Sequence, residues 1–542
     1  MKTFRFSGIA CIMTLALVAC GGEDSPSSAL SPLDSDEGEG SAPAEAADPT
    51  PVDMVPAEVE TPADPSADAQ GVDAESAAQD EGAPDPDLAP PEDSGTARAE
   101  LEWRNCGQFE DRNLQCAEVL VPVDYDQPEG EQVSIAMRRI QANPLEPYHG
   151  ALLFNPGGPG GEGIDSTFAF FRGDIFDAIA PGYDIIGFDP RGVGASGETG
   201  CGIQPENMYP GATPTGEIAP GFADFVAYLE AEGERCEAAW GPLFRRLGSN
   251  NVVRDLEEMR KALNEPLLNF YGASYGTRLG SLYAHSYPET TGRIVLDAAV
   301  QPRSSLIETV RGQFKQAVNL HELFLSRCDS AELACPPDAR LVFDQLLASA
   351  SALGLEPAFV NLWTTLLLDL EGVDACQQLL AAQVADPSGA WIPSLFSEGG
   401  GGSVGFSDVV NRSVHCTDDA FEPPTQEEFE SLGAEFRQLS PVFADTFLPS
   451  TTLCAGWPVT RDPVPMPTAT TARPLLVIGG TADGLTPYEW SQQMTEALGS
   501  ATLLTSNHYG HGAVTRGSDC VRAVIRAYLT SGSLPATGAT CS

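Results

Sequence analysis

Residues 267–279 constrain the fold of this chain more than any other stretch of its sequence. The apolar run at 267–271 has the residue types of a short buried strand. It leads into Gly-Ala-Ser-Tyr-Gly at 272–276, after which small and apolar residues recur at helical spacing. Strand, tight turn and helix in this order are typical of a nucleophile elbow, which would present Ser274 Oγ at the carboxyl end of a sheet.

The same five-residue pattern occurs a second time around Ser403, so the pattern alone is weak support for a nucleophile. The second copy follows no strand and lies beside a run of glycines at 399–402, which is typical of a loop. We therefore predict that Ser274, and not Ser403, is the nucleophile.

Predicted strands and helices alternate on both sides of the elbow. Strands are predicted at 119–124, 133–140, 151–154, 184–189, 293–297, 474–479 and 501–505. Helices are predicted between them at 251–263, 487–498 and 516–530. This alternation predicts an α/β fold with a mostly parallel central sheet.

The alternation stops between about 300 and 466. Helices are predicted there at 304–327, 340–352, 358–370 and 426–439. We interpret this block as a helical lid, inserted into the fold over the carboxyl edge of the sheet, where it would exclude water and shape a pocket.

A serine hydroxyl becomes a good nucleophile only when a base removes its proton and a third group orients that base. In an elbow fold of this kind, the order along the chain is Ser, acid, His. His511, flanked by glycines in the loop expected after the strand at 501–505, is the predicted base, with His508 as the alternative. Asp483, at the exit of the strand at 474–479, is the predicted acid, and Asp297 is the alternative.

The tetrahedral intermediate formed by such a serine needs two N–H donors. One is predicted to be the backbone N–H of Tyr275, directly after the nucleophile. The other is expected from the glycine-rich loop at 155–161, where we favour Gly158 over Gly157.

Composition excludes several other kinds of function. The formal net charge of −48 would repel nucleic-acid phosphates, so we expect no nucleic-acid partner. His508 and His511 have H-x-x-H spacing, but no third ligand accompanies them, and we predict neither a metal nor a cofactor. We expect a monomer.

The amino terminus has the pattern of an export signal. Lys2 and Arg5 precede an apolar run at 9–19 that is shorter than the roughly 20 residues of a membrane-spanning helix. The following Cys20 completes a segment that resembles a bacterial lipobox, which implies lipidation of Cys20 and membrane attachment through that lipid alone. Gly21 favours the outer membrane in a cell that has two.

The chain is expected to divide into five segments. They are a lipoprotein signal peptide at 1–19, an acidic Pro- and Ala-rich disordered tether at 20–100, core residues 101–299, the lid at 300–466, and a second core segment at 467–542.

Eleven cysteines lie beyond Cys20, and an oxidising compartment would favour disulfides. Proximity along the chain suggests five pairs and leaves Cys376 free. The pairs are 106–116, 201–236, 328–335, 416–454 and 520–541.

Several motifs, taken together and in order, resemble the α/β-hydrolase peptidases related to prolyl aminopeptidase, and most of all the secreted bacterial tripeptidyl-aminopeptidase-like enzymes. The matching segments are N-P-G-G-P-G at 155–160, G-F-D-P-R-G-V-G-A-S at 187–196, Y-G-A-S-Y-G-T-R-L-G at 271–280, T-A-D-G-L-T-P at 481–487 and G-H-G at 510–512. The resemblance spans about 106–542. It implies a serine exopeptidase that acts on peptides with free N-termini, with Ser274, Asp483 and His511 at the triad positions.

The sequence departs from this family in ways that bear on substrate choice. Glu162 follows the glycine loop where a small residue is usual, and Ala298-Ala299 replaces the usual Gly after Asp297. Glu162, Asp418 and Asp419 are the carboxylates we consider for binding a substrate ammonium group. A carboxylesterase, or a binding protein without activity, is the alternative on the same scaffold.

Overall fold

The computed structural model describes residues 101–542, with gaps at 111, 171–174, 198–200, 202–221, 304, 369–371, 397–407, 470, 472 and 517. The predicted signal peptide, the predicted tether, Cys20 and Ser403 lie outside the described residues. Within the described part, none of the helices combines the length and apolar character needed to cross a bilayer.

A ten-stranded sheet organises the fold, with spatial order β1-β2-β3-β5-β4-β6-β7-β8-β9-β10. The strands are β1 Arg104–Phe109, β2 Arg112–Pro122, β3 Gln132–Ile140, β4 Gly150–Asn155, β5 Tyr183–Phe188, β6 Leu268–Ala273, β7 Thr291–Asp297, β8 Leu475–Ala482, β9 Ala501–Tyr509 and β10 Thr540–Cys541. Neighbours from β1 to β5 pair antiparallel, and all later neighbours pair parallel. The predicted mostly parallel sheet is confirmed.

Parallel neighbours in a sheet need long connections, and helices form most of these connections here. Those outside the β7–β8 connection are α1 Gly163–Phe170, α2 Ile175–Ile179, α3 Phe222–Trp240, α4 Ser249–Ala262, α5 Gly276–Ser286, α13 Tyr488–Leu498, α14 Ala513–Arg516 and α15 Asp519–Ser531. Those between β7 and β8 are α6 Leu306–Asp329, α7 Ala339–Ala352, α8 Glu356–Leu368, α9 Gly372–Ala385, α10 Asp408–Asp418, α11 Gln426–Leu439 and α12 Ala444–Phe447. Short 3-10 helices lie at Gly241–Arg246, Ile392–Phe396 and Leu448–Thr452.

The sheet is buried on both faces because its strands alternate between two apolar clusters. On β4, Leu153 packs into one cluster and Leu152 and Phe154 into the other. The first cluster includes side chains of α4 and α5, and the second includes side chains of α1 and α15. Helices α6 to α9 form a third cluster around the fully buried Trp363.

Most predicted elements occur within a few residues of their expected bounds, but the end of β9 was predicted wrongly. The strand continues to Tyr509, so His508 lies within it and not in the loop that follows. Pairing with β8 persists through Gly480 and Ser506, and a register shift then brings Ala482 opposite Tyr509. His511 does follow the strand, as predicted.

All five expected disulfides are present, and their pairing is confirmed. Cys376 is free and buried within the apolar cluster of the inserted helices.

A buried ion pair fixes the loop after β5. Arg191 contacts Asp255 of α4 through two bonds of 2.6 and 2.7 Å, and both side chains are almost completely buried. The remaining guanidinium N–H groups donate to the carbonyls of Pro122, Val123 and Arg246. Every donor is therefore satisfied without water, which makes loss of either partner costly.

We expect Arg191→Leu to lower the free energy of unfolding by about 3–5 kcal/mol, because Asp255 would remain buried and unpaired. Arg340→Leu is the matched control: its bidentate pair with Glu322 is about half exposed, and its loss should cost under ~1 kcal/mol. Urea denaturation measures both. Equal losses would contradict this account of the buried pair.

Candidate active site

The elbow holds Ser274 in a backbone conformation that is unusual for a residue with a side chain. Its φ is +55°, in the left-handed region, and the residue is 1% exposed. The N–H of Ser274 donates to the carbonyl of Asp297 on β7, at 2.9 Å. The buried Oγ has no hydrogen-bond partner among the described residues. The strained backbone at Ser274 is the arrangement that the elbow motif predicts.

Two glycines allow the loop after β4 to approach this elbow. A Cβ added at Gly276 would lie 2.6 Å from the carbonyl oxygen of Asn155. A Cβ added at Gly157 would lie 2.8 Å from Cβ of Ser274 and 3.1 Å from the backbone nitrogen of Tyr275. The predicted oxyanion loop therefore packs directly against the nucleophile.

Asp483 and His511 are brought together where β8 and β9 end. Nδ1 of His511 lies 2.9 Å from both carboxylate oxygens of Asp483. Asp483 is completely buried, and it also accepts hydrogen bonds from the N–H groups of Leu485 and Thr486 and from Thr486 Oγ1, each at 2.9 Å. This carboxylate is thus held in place from several sides.

The surroundings of Asp483 favour its ionised form. Burial by itself would raise the pKa of this carboxyl, but the adjacent His511 and the two backbone N–H donors outweigh it, and the pKa lies below its usual value. An ionised Asp483 keeps the proton of His511 on Nδ1. Nε2 is then the ring nitrogen available to accept a proton.

His508, the alternative base, has different partners. Its Nδ1 lies 2.8 Å from Ser506 Oγ, and its Nε2 is buried beside Gly480 without a partner among the described residues. Burial, the largest influence, lowers its pKa. Asp483 contacts His511 and makes no hydrogen bond to His508 in the part of the chain described here.

Asp297, the alternative acid, does not contact His511 through its carboxylate. Its oxygens accept from Tyr271 Oη at 2.7 Å and from the backbone N–H groups of Ala513 and Val514 at 2.9–3.1 Å. These bonds hold the segment that begins two residues after the histidine.

A narrow cavity borders the elbow. It lies between the oxyanion loop, the start of α5, the exit of β7 and helices α6, α10 and α13. Its lining residues are Gly158, Pro159, Tyr275, Arg278, Val300, Gln301, Thr309, Gln313, His415 and Trp490. Both predicted oxyanion residues are therefore part of this cavity wall.

The three predicted ammonium-binding carboxylates have other contacts and are not among the lining residues of this cavity. Asp418 accepts from the N–H and Oγ of Ser249 at 2.8 and 2.5 Å and lies 3.6 Å from the guanidinium of Arg278. Asp419 accepts from two backbone N–H groups, those of residues 306 and 421. Glu162 packs beside Gly194 in the loop after β5.

Three polar residues near the site were not predicted from the sequence. Thr486 holds Asp483 through hydrogen bonds from its N–H and its hydroxyl. It lies three residues later in the same motif, and this spacing could have identified it. Arg278 lies in the first turn of α5, the helix that follows the nucleophile, and lines the same cavity as Tyr275. His415 faces the same cavity, and burial, followed by the charge of Arg278, lowers its pKa to about 3. The cavity residues around it come from distant segments, which local patterns do not reveal.

Among the residues described, no group of three or more His, Cys, Asp or Glu side chains is arranged to hold a metal ion. The histidines outside the site have structural contacts: His149 packs on Tyr183, His285 binds the carbonyl of Thr468, and His321 accepts from Trp363 Nε1.

The sheet topology, the elbow and the Asp483–His511 contact define an α/β hydrolase of the serine type. A family profile described as TAP-like protein matches residues 440–541. The chain is 30% identical to carboxylesterase B of Mycobacterium tuberculosis over 479 residues, which cover 81% of this chain and 89% of that protein. It belongs to the family of tripeptidyl aminopeptidase-like (TAP-like) α/β hydrolases.

Two peptidases are also similar to the chain over most of their length. The tripeptidyl aminopeptidase of Streptomyces lividans is 28% identical over 479 residues, covering 82% of this chain and 87% of that protein. Serine protease Hip1 of Mycobacterium tuberculosis is 28% identical over 500 residues, covering 81% and 91%. The resemblance predicted from the motifs is confirmed.

The buried Asp418 gives a testable pH dependence of stability. Burial raises its pKa to about 6 in spite of Arg278 and Ser249, so between about pH 4 and 6 the folded protein binds this proton more tightly than the unfolded chain. Ionisation of Asp418 therefore reduces stability as the pH rises through this window. Asp418→Asn should make the slope of unfolding free energy against pH more positive there. Chemical denaturation at several pH values measures the slope, and an unchanged slope would contradict the assignment.

Proposed function

We propose that this protein is an exported serine aminopeptidase that releases short peptides or residues from free N-termini through an acyl-enzyme. The observation that carries the proposal is the buried Asp483–His511 hydrogen bond, together with the strained backbone of Ser274 in the elbow. Membership of the TAP-like family and similarity to two named peptidases support a peptide substrate.

In the proposed reaction, Nε2 of His511 takes the proton of Ser274 as Oγ attacks the carbonyl carbon of the scissile bond. Asp483 stabilises the imidazolium that results and keeps the ring oriented. The protonated His511 then donates its proton to the leaving amine as the C–N bond breaks. Water, activated by the same imidazole, attacks the acyl-enzyme and returns Ser274 to its starting state.

The oxyanion of the tetrahedral intermediate is proposed to accept hydrogen bonds from the backbone N–H groups of Tyr275 and Gly158. The close packing of the glycine loop on the elbow supports this pair, because both groups border the same cavity. We further propose that 101–299 and 467–542 form the catalytic core and that 300–466 act as a lid, since α6 and α10 supply part of the cavity wall.

We also propose that Glu162, Asp418 or Asp419 binds the substrate ammonium group. Asp418 and Asp419 already accept backbone N–H groups. In a substrate cleaved after its third residue, the ammonium would lie two residues, or roughly 7 Å, from the scissile carbonyl in extended form. Of the three carboxylates, Glu162 is the one that directly follows the glycine loop at 155–161.

A carboxylesterase on the same scaffold is the second candidate. Two observations favour it: the 30% identical relative is named carboxylesterase B, and the residues that line the cavity include Arg278 but no carboxylate. Both candidates use the same nucleophile and base, so the choice between them depends on the acyl and leaving groups.

We propose that Cys20 is lipidated, that the envelope membrane holds the protein through this anchor, and that 20–100 form a tether. The support is the sequence pattern alone: a positive start, an apolar run at 9–19 and the lipobox-like end.

Free-amine peptide anilides, their N-acetylated forms and short p-nitrophenyl esters separate the candidate activities. For an aminopeptidase, we expect the full-length protein to cleave the free-amine anilides and not the acetylated ones. Ser274→Ala should lower kcat by about 10³-fold or more. Cleavage of esters alone would favour the carboxylesterase, and turnover unchanged in Ser274→Ala would refute the catalytic proposal.

The paired variants His511→Asn and His508→Asn test the base. His511→Asn should reduce kcat by about 10²–10⁴-fold, the usual contribution of a general base. His508→Asn should reduce it by less than about tenfold, because its ring contacts Ser506 and not Asp483. The reverse order would assign the base to His508. Steady-state kinetics on the best substrate of the panel provide the measurement.

A further inference from the structure

Asp297 at the end of β7 contacts both halves of the proposed catalytic machinery. Its backbone carbonyl accepts the N–H of Ser274 at 2.9 Å, at the strained position of the elbow. Its carboxylate accepts the N–H of Ala513 at 2.9 and 3.0 Å and the N–H of Val514 at 3.1 Å, just after His511. The residue is completely buried, so water does not compete for these bonds.

The backbone on both sides of His511 is bonded to the sheet, in addition to the bond between its ring and Asp483. Before the histidine, the N–H of Gly510 donates to the carbonyl of Ala482 on β8, at 3.1 Å. After it, the two N–H groups at the start of α14 donate to Asp297. These two backbone anchors, together with the bond from the ring to Asp483, therefore set where the imidazole lies along the sheet edge.

The groups that contact the side chain of Asp297 are all hydrogen-bond donors, so this side chain must be an acceptor. Both carboxylate oxygens of Asp297 face donors, which are the two backbone N–H groups and the hydroxyl of Tyr271 on β6. Burial raises the pKa of the Asp297 carboxyl, and the hydrogen bonds from Tyr271 and Ala513 and the nearby His508 on β9 act in the opposite direction. An amide at this position would present its own N–H₂ group to one of these donors.

We infer that Asp297 is a positioning residue, which ties the elbow of Ser274 to the segment of His511 and so fixes the separation of nucleophile and base. The inference rests on the proposed function of these two residues. Asp297 acts through the backbone and touches neither the imidazole nor the reacting atoms. Its carbonyl fixes the backbone of the nucleophile, and its carboxylate fixes the segment that carries the base. One buried residue therefore fixes the position of both.

Asp297→Asn tests the inference in the full-length protein. Because the segment of His511 would lose an acceptor, we expect kcat to fall by about 10–100-fold, as displacement of a catalytic group by about 1 Å can do. KM should change by less than threefold, since the cavity residues are untouched. The measurement is kcat per active site titrated with a fluorophosphonate, so that unfolded protein does not count, together with the rate of phosphonylation of Ser274.

Tyr271→Phe is the matched control. It removes one hydrogen bond to the same carboxylate but leaves the bonds to Ala513 and Val514 in place. Both variants should lower the melting temperature, yet only Asp297→Asn should lower kcat per titrated site. A normal kcat per site in Asp297→Asn, or an equal fall in both variants, would show a merely structural role and overturn the inference.

Ala513→Pro keeps the test decisive if Asp297→Asn does not fold. Proline is tolerated at the first position of a helix, and here its ring carbon replaces the N–H that contacts both oxygens of Asp297 and displaces the carboxylate. It should lower kcat per site in the same direction, by about tenfold, and an unchanged value would overturn the inference. Ser274→Ala separates the two proposals. If it keeps turnover, the proposed function fails, whereas if it is inactive and the other variants are normal, only the role of Asp297 fails.

Discussion

The hydrogen bond between Asp483 and His511 is the contact on which the rest of the site depends. A fully buried carboxylate is expensive unless donors surround it, and here Thr486, the N–H of Leu485 and the imidazole supply them. These donors lie on the loops after β8 and β9. The two loops meet because the strands pair in parallel over almost their whole length and end at the same edge.

The same edge receives two further strand ends. The elbow after β6 and the glycine loop after β4 pack so closely that side chains at Gly157 and Gly276 would collide with main-chain atoms. Parallel pairing of β4, β6, β7 and β8 therefore converts residues that are far apart in the chain into one constellation. Apolar clusters on both faces of the sheet make this arrangement rigid.

The sequence allowed prediction of the parts of the site that belong to local motifs. Ser274, Asp483 and His511 each lie at a strand exit marked by glycines, and the structure brings the last two into contact. Elements without such patterns were missed. Strand β1 is largely exposed and lacks alternation, and β10 has only two residues. Helix α10 was missed although its apolar residues recur with helical spacing, and nearly all of its residues, including polar ones, are buried.

Long-range polar contacts could not be predicted because they have no local signature. The pairing of Arg278 with Asp418 joins positions 140 apart in sequence, and the bond of Asp297 to Ala513 joins positions 216 apart. The position of His508 within β9 also depends on pairing with β8, since its own surroundings read equally well as a loop.

Asp418 links the inserted helices to the helices that cover the sheet. It belongs to α10, within the helices inserted between β7 and β8, yet it receives the N–H and hydroxyl of Ser249 at the start of α4 and lies beside Arg278 of α5. Helices α4 and α5, which cover the sheet, therefore depend on the inserted helix α10 for the acceptor of their buried donors. The inserted helices are consequently not a detachable module: a chain trimmed to the strands and their crossovers would leave a buried guanidinium without its counter-charge.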